Sequence, residues 1–226
     1  MQPTMAILER TNKNSNRNKE EVFTKLYRYL LRPDLYFEAY KNLYANRGAS
    51  TKGVNQDTAD GFSERKITKI IESLSNETYH PMPVRRTHIE KANGKKRPLG
   101  IPTFTDKLVQ EALRMILQAV YEPVFLNCSH GFRPNKSCHT ALTELKKEFT
   151  GAKWFIEGDI KSCFDSIDHV VLVGLINRKI KDARLIKLIH KFTKAGYVEY
   201  WRYHGTYSGT PQGGIISPLL ANIYTT

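Results

Sequence analysis

Asn93-Gly94, set between two runs in Val84 to Arg97 (VRRTHIEKANGKKR), is the feature that most restricts how this chain folds. An Asn-Gly pair supplies the positive φ angles of a tight turn, so the flanking runs predict two strands joined at Ala92-Asn93-Gly94-Lys95. Arg85, Arg86, Lys91, Lys95, Lys96 and Arg97 crowd onto this hairpin. Two readings stay open. The cations guard an exposed edge strand against aggregation, or they form a lid whose Lys91 and Arg97 reach phosphates, arginine as a bidentate fork and lysine as a point charge.

Charge decides which partners to consider. The 226 residues carry a formal net charge of +13, with ordinary hydrophobic and charged fractions of 40% and 25%. Such an excess repels itself in the compact state and marks a surface for a polyanion, with RNA or DNA ahead of an acidic membrane. No run approaches the roughly 20 apolar residues needed to span a bilayer, and Met1 to Lys19 is too polar for a signal peptide. The sequence therefore predicts a cytoplasmic protein without a membrane partner. Three cysteines cannot all pair and suggest a reducing compartment. A zinc site from Cys128, His130, Cys138 and His139 is disfavoured, since adjacent Cys-His ligands match none of the usual paired spacings.

In chain order, residues 1–19 are polar, Asn-rich and without periodicity, which predicts a mobile tail with order beginning near Glu20. Helical spacing over Glu21–Leu31, a stop at Pro33 and renewed spacing over Leu35–Tyr44 predict an αα-hairpin. Gly48 to Asn55 reads as a loop, Ser63 as the cap of a helix through Leu74, and Pro98 to Pro102 as an extended connector. Asp106 to Tyr121 is a long amphipathic helix. In Ser129 to Asn135, Phe132 and Arg133 either stack on a base while neutralising phosphate or simply shape a turn. Ser137 caps the next helix.

Trp154-Phe155-Ile156 reads as a short buried strand with Asp159 at its end. A carboxylate there either caps the following turn or holds a divalent metal beside a phosphate. Asp165 and Asp168 read as caps. Two helices follow, His169–Ile180 and Ala183–Lys194. Tyr197–Tyr203 and Thr206–Gly209 suggest a hairpin leading to TPQGGIISP, whose paired glycines allow close backbone approach and whose Pro218 suits a first helical turn.

RPLGIP, SHGFRPNKSCHTAL, DIKSCFDSIDH and GTPQGGIISPLLANI, in this order, resemble the reverse transcriptase proteins of group II introns, the intron-encoded maturases, from about Tyr36 onward. Other bacterial reverse transcriptases, such as those of retrons, share these elements in looser form and remain the alternative, as does a purely RNA-binding splicing cofactor. The resemblance implies an α+β, right-hand polymerase, helix-rich with small antiparallel sheets. Residues 20–149 would form the fingers with their N-terminal extension and insertion loop, and residues 150–226 part of the palm. It further implies metal ligation by Asp159 and the Ile160 carbonyl, with Asp159 catalytic and Mg2+ as a two-ion cofactor. Lys91, Arg97, Ser162, Cys163, Phe164, Pro211, Gln212 and Gly213 would bind the nucleotide, Phe164 as the gate against a 2′-hydroxyl. Arg85, Arg86, Lys95, Lys96 and Arg133 are expected to contact RNA. The implied partners are group II intron RNA, an RNA template with DNA primer, and deoxynucleoside triphosphates, within a bacterial cytoplasmic ribonucleoprotein; a homodimer stays open. The family's Tyr-x-Asp-Asp hairpin does not occur in the sequence, so the reading expects a fragment with one of three catalytic carboxylates, inactive as a polymerase.

Overall fold

The computed structural model describes residues 2–46, 48–90, 94–211 and 213–226. Helix α4 (Phe104–Tyr121) is its axis, with Leu108, Val109, Ala112, Leu113, Ile116 and Leu117 fully buried. A helix apolar on most of its circumference belongs inside a core. Thr103 caps it by accepting from the Asp106 amide. Around it pack α1 (Thr4–Arg17), α2 (Pro33–Tyr44) and α8 (Ser217–Thr225). The cluster continues through α3 (Glu64–Ser75), α6 (His169–Lys179) and α7 (Ala183–Thr193), while α5 (Cys138–Glu148), capped by Ser137, buries no residue in it.

Helix α1 replaces the expected mobile tail. Its buried face is Thr4, Ile7, Leu8, Thr11 and Ser15, and the polar members are satisfied internally. Thr11 Oγ1 donates to Ile7 O, and Ser15 Oγ donates to Val120 O at 2.6 Å on the facing helix. Small hydroxyl side chains thus serve as core residues, which a hydropathy pattern does not register. The first half of the expected αα-hairpin is also different. Phe23 forms a parallel bridge with Ile180, through Phe23 N to Lys179 O and Lys181 N to Phe23 O, and a 3-10 turn spans Tyr27–Leu31. Asp182 fixes this arrangement by accepting from both the Tyr27 and Leu185 amides.

Four strands form one mixed sheet in the order β2-β1-β3-β4, with β1 at Val84–Glu90, β2 at Lys96–Ile101, β3 at Tyr197–Glu199 and β4 at Arg202–His204. The predicted hairpin is present, Arg85 facing Ile101 and Glu90 facing Lys96, while its turn residues Lys91, Ala92 and Asn93 lie outside the described residues. The sheet is not purely antiparallel. β1 pairs in parallel with β3, Val84 beside Tyr197, so among the described residues β1 is an interior strand and β2 and β4 are the edges. The extended connector at Pro98 belongs to β2 itself. The second hairpin is shorter than expected, both strands lying within Tyr197–His204.

Asp57 anchors the segment that leads from the 48–55 loop to α3. Its carboxylate accepts from Lys66 Nζ, Thr105 N and Thr105 Oγ1. Burial alone pushes this carboxyl up, but the bonds from Lys66 and Thr105 and the Lys66 charge hold it below its ordinary value. A depressed folded pKa adds stability above the unfolded value near 3.9, lost as pH falls through the folded value. Asp57→Asn is therefore expected to cost about 1–3 kcal/mol at pH 7. In urea titrations the difference from wild type should shrink below about pH 4; an undiminished difference at pH 3 contradicts this.

Candidate functional site

Strand alternation gives the sheet two faces. From the register, Arg85, Thr87, Ile89, Arg97, Leu99 and Ile101 share one face. Arg85 there donates from Nε and Nη2 to the Lys52 carbonyl at 3.0 and 2.8 Å, and from Nε to Gly53 O at 3.1 Å. Lys107 Nζ holds the same loop through Gly48 O and Thr51 O. Burial, then the nearby Arg85 cation, push the Lys107 ammonium below its usual range. Gly53 lies so close to Pro102 and Thr103 that an added Cβ would sit 2.7 Å from Thr103 N. The loop is therefore a fitted lid along β1 and the start of α4. Arg85, expected on RNA, acts here as its latch.

The segment Thr210–Gly214 closes against the same sheet. Gly213 has φ +104, and a Cβ there would meet Gly100 O at 2.5 Å. Gly214 N and Ser217 Oγ both donate to Pro211 O, turning the chain into α8. Gln212 lies outside the described residues. Behind this turn, Ser162 adopts φ 53, with Asp165 N and Ser166 N both donating to its carbonyl. Thr210 N donates to Phe164 O at 2.8 Å, Gly209 N to Ile167 O at 2.7 Å, and Ser208 Oγ to Asp165 O at 3.2 Å. Ser162, Cys163, Phe164, Pro211 and Gly213 are thereby tied to β2, which carries Arg97. Phe164 packs against the core, its ring edge-on to Phe132 at 6.4 Å.

Other expectations require correction. Trp154-Phe155-Ile156 is neither buried nor a strand: Ile156 is 99% exposed, and no described strand pairs with this stretch. A strand is defined by a hydrogen-bonded neighbour, and β1 to β4 pair among themselves instead. Asp159 and Ile160 lie at the exposed end of this segment. Among the described residues no group of three or more His, Cys, Asp or Glu side chains is placed to hold a metal. By itself Asp159 supplies too few ligands for a two-ion Mg2+ centre. Asp168 is a helix cap as expected, accepting from Val170 N and Val171 N.

Arg133 is turned inward rather than toward RNA. Its guanidinium pairs with Glu122 and donates to Leu126 O and Ser129 O, leaving the side chain 6% exposed. It staples the Ser129–Asn135 loop, whose Phe132 points outward at φ 56. Arg133→Ala should cost about 3 kcal/mol by leaving Glu122 unpaired while leaving RNA affinity unchanged; a filter-binding loss with intact melting would reverse this assignment. Lys95 and Lys96 remain on the exposed end of the hairpin. The sequence reading overlooked the aromatic residues Tyr197, Tyr200, Trp201, Tyr203 and Tyr207, whose density in Tyr197–Tyr207 was the available signal.

The Reverse transcriptase (RNA-dependent DNA polymerase) family profile matches residues 89–226, more than half of the chain, and the chain belongs to that family. Within it the similarity is to group II intron-encoded proteins. The chain is 71% identical over 225 residues to Group II intron-encoded protein LtrA of Lactococcus lactis subsp. cremoris, covering 99% of this chain and 38% of that one. It is 49% identical over 223 residues to an uncharacterized 91 kDa protein in the cob intron of Schizosaccharomyces pombe, covering 96% of this chain and 28% of the other. The chain thus spans well under half the length of these relatives. Among solved structures, a chain of a partial Cas6-RT-Cas1–Cas2 complex aligns at TM-score 0.55 and 20% identity over 87% of this chain and 33% of its own length, a likeness of fold.

Proposed function

We propose that this chain is the nucleotide- and RNA-handling portion of a group II intron reverse transcriptase that also acts as its maturase. One observation carries the reading. The basic hairpin, the Ser162–Asp165 turn and the Thr210–Gly214 segment, far apart in sequence, are joined in one body by hydrogen bonds and close glycine contacts. In this reading Arg97 meets the triphosphate of a deoxynucleotide and Phe164 excludes the 2′-hydroxyl, with Lys91 and Gln212, which the resemblance also assigns to the nucleotide, lying outside the described residues. Asp159 contributes one carboxylate to Mg2+ binding in the longer protein. The 226 residues alone bind intron or template RNA and do not polymerise. The setting is a bacterial ribonucleoprotein. Among the described residues no helix is long and apolar enough to cross a membrane.

Salt dependence tests the RNA claim. Each phosphate contact on a single strand adds roughly −0.7 to the slope of log affinity against log salt. Wild type is expected to show a steep negative slope. Lys95→Ala with Lys96→Ala should make it shallower by up to about 1.4. A flat wild-type slope sinks the reading.

A further inference from the structure

The face of the sheet turned away from the loop carries a different set of side chains. On it the register aligns Val84, Arg86 and His88 of β1 with Tyr197 and Glu199 of β3 and with His204 and Arg202 of β4. The Arg86 guanidinium carbon lies 3.3 Å from the Tyr197 ring centroid. The Tyr197 and His204 rings stack at 4.8 Å with 12° between planes. Because β3 lies between β1 and β4, Tyr197 stands between the guanidinium and the imidazole. The result is a row of three flat groups ending on exposed His204. A cleft of about 360 Å³ opens beside the row, walled by Thr206, Tyr207 and Asp165. That volume is at the low end of ligand sites, room for a nucleotide-sized group.

The turn that joins β3 and β4 is chemically unusual. Tyr200 and Trp201 occupy φ 48 and 64, where bulky residues are uncommon and strained, and where Asn-Gly would fit without cost. Their rings bury nothing in return: Trp201 is 100% exposed, Tyr200 85%, and Tyr207 near the cleft 94%. The same face carries the cations Arg86, Arg202 and Lys96 and the carboxylates Glu90 and Glu199. Glu199 lies 3.5 Å from His88. Aromatic planes interleaved with arginines suit unpaired bases on a phosphate backbone, whereas the centre of a protein interface is depleted of charge. Duplex RNA keeps its bases stacked on one another and offers no free faces to such a surface.

We propose that this outer face of the sheet binds single-stranded RNA, its bases stacking on Trp201, Tyr200 and Tyr207 and on the Arg86–Tyr197–His204 row. The proposal rests on the RNA-handling reading above and assigns it a second surface, on the sheet face opposite Arg97 and adjoining the nucleotide site through the cleft that Pro211 also lines. Trp154→Phe leaves Trp201 as the remaining tryptophan of two, so its fluorescence reports on the turn alone. In that background, single-stranded oligo(U) is expected to quench Trp201 in step with binding followed by anisotropy of labelled RNA, and a blunt RNA hairpin is not. Tyr200→Asn with Trp201→Gly restores an ordinary turn. It should melt no lower than wild type yet bind oligo(U) roughly five- to a hundredfold more weakly. Its salt slope should be unchanged, since stacking releases no counterions. If RNA binds but Trp201 is not quenched and the turn variant binds like wild type, this surface assignment falls and the RNA reading stands. If wild type binds no RNA at all, both fall.

Discussion

Asp159→Ala, introduced into a protein of the relatives' full length, is expected to abolish incorporation of deoxynucleotides on an RNA template while leaving RNA affinity intact. Phosphoryl transfer is driven by positioning and by metal ions that neutralise developing charge. Residues that merely support a metal ligand already cost roughly 10–100-fold when removed, so loss of Asp159 in its proposed role as a direct ligand should cost more. The second half of the expectation follows from exposure. Asp159 lies on an unpaired segment outside the core, so shortening it leaves no cavity and strips no partner from a buried group. Primer extension and filter binding on the same preparation separate the two effects. Normal extension by the variant would remove Asp159 from its assigned role.

Gly209→Ala should have the largest effect on stability. Gly209 sits at φ +81, and a Cβ there would lie 2.7 Å from Phe164 O and 2.8 Å from Asp165 Cα and O, all backbone atoms that cannot swing aside. Its own carbonyl accepts from His169 Nε2 at 2.6 Å, and its amide donates to Ile167 O. Left-handed strain and overpacking together should cost roughly 2–4 kcal/mol, a fall in melting temperature of about 5–15 °C for a chain of this size. Gly174→Ala is the contrast. Gly174 lies inside α6 with nothing within 4 Å of an added Cβ, so alanine should stabilise by about 0.5–1 kcal/mol. Equal melting of the two variants would show that the Gly209 contacts are not rigid.

Legibility in the sequence followed the kind of information each element stores locally. Helix α4 was readable because its long apolar face is written in consecutive residues, although it starts at Phe104 behind the Thr103 cap rather than at Asp106, and α3 because Ser63 caps it. The β1–β2 hairpin was readable from Asn93-Gly94. By contrast, α1 hides its buried face in threonine and serine, whose hydrogen-bond partner Val120 lies 105 positions away from Ser15. The β3–β4 turn hid because Tyr200 and Trp201 are not turn residues. Trp154–Ile156 has strand composition without a pairing strand, and pairing is a long-range property. At the candidate site, the family resemblance singled out Phe164, Pro211 and Gly213, which the fold gathers beside β2. That Arg85 latches a loop and Arg133 staples another could not be read from charge, since the same guanidinium serves carbonyls or phosphates equally well.

Strand β1 places neighbouring arginines in different surroundings. Arg85 and Arg86 are consecutive, yet pleating sends one to the loop beside Gly53 and the other onto Tyr197. The strand is a partition between two compartments, addressed alternately by odd and even positions. Each compartment can therefore drift or be engineered through single substitutions without disturbing its neighbour, whereas inserting or deleting one residue in β1 would exchange their contents wholesale.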